Sequence, residues 1–134
     1  MRHDTQTIAI EARPEHTFDF LAEPSNLPRW AAGFAKAIRP ENDGYCVTTP
    51  QGDVQMKLVT DPKSRVIDFH ISPAPGKTSI AHSRVLPLDG GSLYVFTQEQ
   101  APGMPDALFE AQVATLGREL RLLKSLLEVG SCET

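Results

Sequence analysis

Basic charge, cysteine and long apolar runs are all scarce in this chain, and each scarcity removes a class of protein. Lys and Arg number 13 against 17 Asp and Glu, a net charge of −4, so the chain as a whole lacks the basic field that holds nucleic acid or an anionic membrane surface, which leaves open only a local patch. No nucleic-acid partner is expected. No stretch of about 18 apolar residues occurs, which leaves no transmembrane helix and no membrane insertion. The N-terminal Met-Arg-His-Asp-Thr-Gln is polar where a secretory signal would be apolar, and the expected setting is cytoplasmic. Cys46 and Cys132 stand far apart, outside any CxxC or Cys/His ligand spacing, so both are read as reduced thiols without a metal role. His3 and His16, near the terminus and a helix start, likewise lack partners at ligand spacing, His70 is placed on the outward face by the hairpin register, and neither metal nor cofactor is expected. Gly90-Gly91 has no following helix or lysine to make a phosphate loop, and no serine sits in a nucleophile elbow.

What is present is one long amphipathic helix. Phe109, Val113, Leu116, Leu120, Leu123 and Leu127 recur at spacings of four and three, which places them on one stripe of a helix from Met104 to about Val129. Glu110, Arg118, Glu119, Arg121, Lys124 and Glu128 read as its solvated side. The apolar stripe needs a partner, and the only large one on offer is a face of a sheet. The 134 residues, 40% of them hydrophobic, suit a single domain over 1–134. Thr5 to Ala12 alternates as a half-buried strand, and Pro14 opens a short helix with Phe18 and Leu21 on its inner face. A second short helix or turn, rich in proline, ends at Trp30, which is read as a core anchor rather than a cavity gate. Strands are expected at 34–41, 44–49, 52–60, 65–72, 77–88 and 92–100, split by hairpin punctuation at Asn42-Asp43, Pro50-Gln51, 61–64, 73–76 and Asp89-Gly90. The expected class is α+β: a seven-stranded curved antiparallel sheet wrapped around the long C-terminal helix, with two short helices after strand 1. Such an arrangement leaves room for a cavity between helix and sheet.

Three segments carry a family likeness: Ile8-Ala9-Ile10-Glu11-Ala12-Arg13-Pro14-Glu15 running into Phe18; Phe20-Leu21-Ala22-Glu23-Pro24-Ser25-Asn26-Leu27-Pro28-Arg29-Trp30; and Leu86-Pro87-Leu88-Asp89-Gly90-Gly91-Ser92-Leu93. In these and in element order the chain resembles the START/birch-pollen-allergen superfamily, SRPBCC, and within it the polyketide cyclase/dehydrase-like branch. The resemblance covers nearly the whole chain, and its motifs are structural. It implies a helix-grip fold whose cavity often takes lipids, polyketides or other apolar molecules. It carries over no universal catalytic motif, and the functions it implies range from carriage to catalysis.

Turn positions and the period of two assign the cavity-facing residues. A connection at 61–64 sets Leu58 opposite Ile67, Met56 opposite Phe69 and Val54 opposite Ile71, so this apolar face points inward. The same parity, carried through 73–76 and Asp89-Gly90, sets Ile67 against His82, Arg84 against Val95 and His82 against Thr97. Working back through the earlier turns brings Tyr45, Val47 and Thr49 inward, then Phe34, Lys36 and Ile38. A one-residue shift at any turn inverts the strand that follows. The interior is therefore expected to be apolar with polar exceptions at Tyr45, Thr49, Thr78, His82, Arg84 and Thr97.

Three functions suit that interior. The first is binding of a small, mainly apolar molecule, with Tyr45, Met56, Phe69, His82, Arg84, Thr97, Phe109 and Val113 as ligand-binding residues. The second is a cyclase or dehydratase, in which His82 removes a proton beside a carbonyl and Arg84 or Tyr45 steadies the enolate. The third is a protein-interaction domain with a filled interior, which keeps a protein partner open. Structural roles compete with these assignments: Arg84 can snorkel to water from a strand end, and His82 can be a hydrogen-bonded core histidine.

Overall fold

The computed structural model describes residues 2–132. Strand β1 (His3–Ile10) leads into α1 (Pro14–Ala22), a 3-10 turn (Pro24–Asn26) and the short helix α2 (Leu27–Trp30). Strands β2 (Ala37–Glu41), β3 (Gly44–Thr49), β4 (Gly52–Asp61), β5 (Val66–Ala74), β6 (Lys77–Leu88) and β7 (Gly91–Glu99) follow, then the long helix α3 (Asp106–Cys132). All seven strands join one curved antiparallel sheet in the order β1-β7-β6-β5-β4-β3-β2, gripping α3 as the helix-grip reading expects.

Local chemistry sets the boundaries. Pro14 takes the first helical position of α1, where its missing N–H removes no bond. Helix α3 starts at Asp106 rather than Met104, because the Pro105 carbonyl accepts the first helical bonds from Leu108 and Phe109, both at 3.1 Å. Strand β1 stops at Ile10, short of Ala12: the Glu11 amide donates to Glu128 Oε2 on α3 at 2.9 Å instead of to a neighbouring strand. Residues 34–36, expected to open β2, form a turn in which Phe34 N and Ala35 N donate to Ala31 O. Lys36 is consequently exposed, not inward.

The helical stripe is buried as its spacing requires. Phe109, Leu116, Leu120, Leu123 and Leu127 are buried and Val113 is half-buried. Most of this stripe shares one core with Ile10, Val47, Met56, Ile67, Phe69, Val85 and Tyr94 from the sheet. Trp30 is a core anchor, packing edge-on to Tyr94 with ring centroids 6.2 Å apart. Gly117 marks close packing, since a Cβ there would stand 3.3 Å from Gln6 Oε1. Cys46 is a buried free thiol, and the expectation for the Cys132 side chain lies outside the described residues.

Two hairpins depart from the expected register, with opposite consequences. Between β4 and β5 the pairs are Met56–Ile71, Leu58–Phe69 and Thr60–Ile67. The displacement is two residues, so every side chain keeps its face. Between β5 and β6 a bulge within 71–74 adds one residue, and Ile71 opposes Ser79 rather than Thr78. That single residue turns the whole of β6 over. The β6–β7 pairs are as expected, His82–Thr97, Arg84–Val95 and Leu86–Leu93, but they inherit the inversion. Ser83, Val85, Ser92 and Tyr94 are the buried positions, while Thr78, His82 and Arg84 are exposed.

Candidate ligand site between sheet and helix

The inversion replaces one set of polar interior groups with another. Tyr94 of β7 pairs with Val85 of β6, and Ser83 pairs with Phe96 one inward step along. Tyr94 is completely buried and its hydroxyl has no hydrogen-bond partner. Ser83 stands beside it without forming a hydrogen bond to it, and the Ser83 Oγ donates to Ile67 O at 2.6 Å. Burial pushes the Tyr94 phenol well above its ordinary pKa, with the nearby Ser83 hydroxyl pulling more weakly the other way. The group therefore stays a neutral O–H donor across the physiological range. A buried hydroxyl left unpaired costs about 1–3 kcal/mol.

The surroundings are aromatic and aliphatic. Tyr94 meets Phe96 at 6.2 Å between centroids, and Phe96 meets Phe69 at 5.8 Å, continuing the row that begins at Trp30. Beyond it the inward positions Tyr45, Val54, Leu58, Ile71 and Phe96 pack against the core yet are only partly covered. The interior thus grades from a sealed end at Trp30 and Tyr94 to a half-covered apolar wall. A polar margin joins β1, β7 and α3: Gln6 Nε2 donates to Asp4 Oδ2 at 2.8 Å and to Val113 O at 2.9 Å, and Gln98 Nε2 reaches Asp4 Oδ2 at 3.5 Å.

Tyr45, Met56 and Phe69 lie on the helix-facing side of the sheet, and Phe109 and Val113 on α3 are buried and half-buried. His82, Arg84 and Thr97 belong to the opposite face. His82 Nδ1 lies 3.1 Å from Asp68 Oδ1, Arg84 Nε donates to Ser64 O at 3.0 Å, and the Thr97 and Thr5 hydroxyls are 2.8 Å apart. Each has a partner outside the interior, so the expected interior pair of imidazole and guanidinium does not exist. Two surface depressions lie elsewhere. One, of about 410 Å³, runs over Arg39, Asp53 and the 73–76 hairpin, and the other, of about 680 Å³, lies by 11–16 and 88–91. In the first, Arg39 is already neutralised by Asp53 at 3.5 Å and Glu41 at 3.7 Å.

Glu119 departs from the sequence reading: it is buried, not solvated. Its Oε2 accepts from Gly33 N at 3.0 Å and Phe34 N at 2.9 Å. Burial raises its pKa above the ordinary carboxyl value, opposed by those two amides and by Arg118 and Lys36. Above that ordinary value the folded chain holds a proton that the unfolded chain has released, so Glu119's contribution to stability falls as pH rises through its folded pKa. Across that window the thermal midpoint of the wild type should decline relative to Glu119→Gln. A constant difference between the two would contradict the raised pKa.

Among the described residues no helix is long and apolar enough to cross a membrane. The fold recurs in solved structures. XoxI from Bacillus cereus superposes with a TM-score of 0.75 at 19% identity, covering 95% of this chain and 96% of that one. A START superfamily protein from Mycobacterium smegmatis gives 0.72 at 15%, covering 94% and 97%. The di-domain ARO/CYC BexL of the BE-7585A biosynthetic pathway gives 0.72 at 21%, with 97% of this chain matching 47% of that one. No curated protein matches in sequence. The family model for polyketide cyclase / dehydrase and lipid transport matches residues 1–128, and the chain belongs to that family.

Proposed function

We propose that the protein binds a small, mainly apolar molecule between the sheet and α3, with an oxygen of that molecule meeting the Tyr94 hydroxyl. The observation that carries this reading is the orphaned, fully buried Tyr94 O–H within an apolar interior. A carrier of pure hydrocarbon would be better served by phenylalanine there, because the hydroxyl would then be a standing cost. A ligand with one carbonyl or hydroxyl on an apolar body satisfies both parts of the interior. This is the usual composition of small-molecule sites: apolar walls and a few placed polar groups. Family membership supports the class of ligand. A general-base role for His82 loses its footing, since that imidazole pairs with Asp68 on the far face of the sheet.

Anilinonaphthalene sulfonate should bind the folded protein saturably and be displaced by fatty acids and by aromatic polyketides. Absence of binding to protein whose thermal unfolding is cooperative would overturn the reading.

A further inference from the structure

Helix α3 leans on β1, one edge of the sheet, whereas β2 is the opposite edge. The gap on the β2 side is bridged by α2, which packs on both α3 and β2, and by residues 31–36 that follow it. This strap is anchored at both ends. Ala31 and Ala35 are buried in the core, Phe34 packs against it, and Lys36 N donates to Thr48 O on β3 at 2.8 Å. Its middle is held differently, by backbone amides of Gly33 and Phe34 donating to one carboxylate oxygen of Glu119 on α3, the Phe34 amide being shared with Ala31 O within the strap's own turn. Gly33 permits the approach: a Cβ there would stand 2.5 Å from Thr115 Cγ2.

The choice of a carboxylate is informative. Glu119 lies three residues after Leu116 and four before Leu123, at the border of the apolar stripe yet buried, where leucine would make a permanent wall without the cost of burying a charge. Two amide bonds to one oxygen are instead a fastening that water can replace when the strap lifts. We propose that residues 31–36 are the door to the interior and that Glu119 is its clasp, so that release of the clasp admits and discharges the ligand. The proposal rests on the cavity reading above.

Two readouts need no ligand: hydrogen exchange at the Gly33 and Phe34 amides, and acrylamide quenching of Trp30, the only tryptophan, which precedes the strap directly. Glu119→Leu removes the acceptor and should speed exchange at the Gly33 amide on the order of tenfold, with a smaller effect at Phe34, which keeps Ala31 O as an acceptor, and should increase Trp30 quenching. Glu119→Gln keeps one acceptor oxygen and should stay near wild type. Should Glu119→Leu fail to fold, Gly33→Ala provides the second route, lifting the strap from Thr115. Adding Thr115→Ser, which deletes Cγ2 and keeps the hydroxyl, should close it again. Dissociation of anilinonaphthalene sulfonate should accelerate in step with exchange. Unchanged exchange and quenching in folded Glu119→Leu or Gly33→Ala would overturn the clasp. Faster exchange with an unaltered dissociation rate would overturn its role in access. A wild type that takes up no dye would instead overturn the cavity reading and the door with it, while exchange and quenching still decide whether Glu119 fastens the strap.

Discussion

Leu120→Ala should lower the unfolding free energy by about 2–5 kcal/mol, the range for emptying a buried leucine site that cannot collapse. Leu120 is 2% exposed and sits at the middle of the stripe that α3 turns to the sheet. Its neighbours in the core come from the sheet and the short helices as well as from α3, so local rearrangement of the helix cannot refill the space. Denaturant unfolding is the measurement: the midpoint should drop with little change in slope. An unchanged midpoint would remove Leu120 from the core, and the packing of α3 described above with it.

Tyr94→Phe should have the opposite sign in the ligand-free protein. The hydroxyl is buried and unpaired, so deleting it removes a desolvated group without breaking a hydrogen bond, a gain of about 1 kcal/mol or more. The aromatic packing with Trp30 and Phe96 is kept. A hydroxyl that lowers stability while contributing nothing to packing is what a binding site retains for its ligand. Loss of stability in Tyr94→Phe would mean that the hydroxyl already has a partner in solution, such as an ordered water, and would weaken the case for a ligand oxygen there.

Much of the architecture was legible because it rests on periodicity. The spacing from Phe109 to Leu127 identified α3, and Pro14 marked the start of α1. Within β3, β4 and β5 the inward faces followed from turn positions, and even the two-residue displacement at 62–65 left them intact. Failure came at Pro73. Proline lacks the N–H that a ladder position requires, so the pairing shifts between Ile71 and Ala74, and the two-residue turn is Pro75-Gly76, with Gly76 at φ 76°. The sequence held one usable warning: the expected parity buried His82 and Arg84, whereas the alternative buries Ser83 and Val85 at far lower cost in desolvation. On β7 the pattern was silent. Leu93, Val95 and Thr97 alternate as acceptably as Ser92, Tyr94 and Phe96, so nothing within that strand chose between them. Glu119 was hidden for another reason. Its partners are backbone amides of a strap that carries no side-chain signature, and only the fold brings them together.

Affinity for a matched pair of ligands tests the central claim most directly: an aryl methyl ketone such as acetonaphthone, and the ethylnaphthalene of the same shape without the carbonyl. Titrated against wild type and Tyr94→Phe, the wild type should prefer the ketone by about tenfold, as one net hydrogen bond to a buried donor provides. In Tyr94→Phe that preference should disappear while affinity for the hydrocarbon is kept. An equal preference in both proteins, or binding of neither ligand to the wild type, would contradict an interior site built around Tyr94.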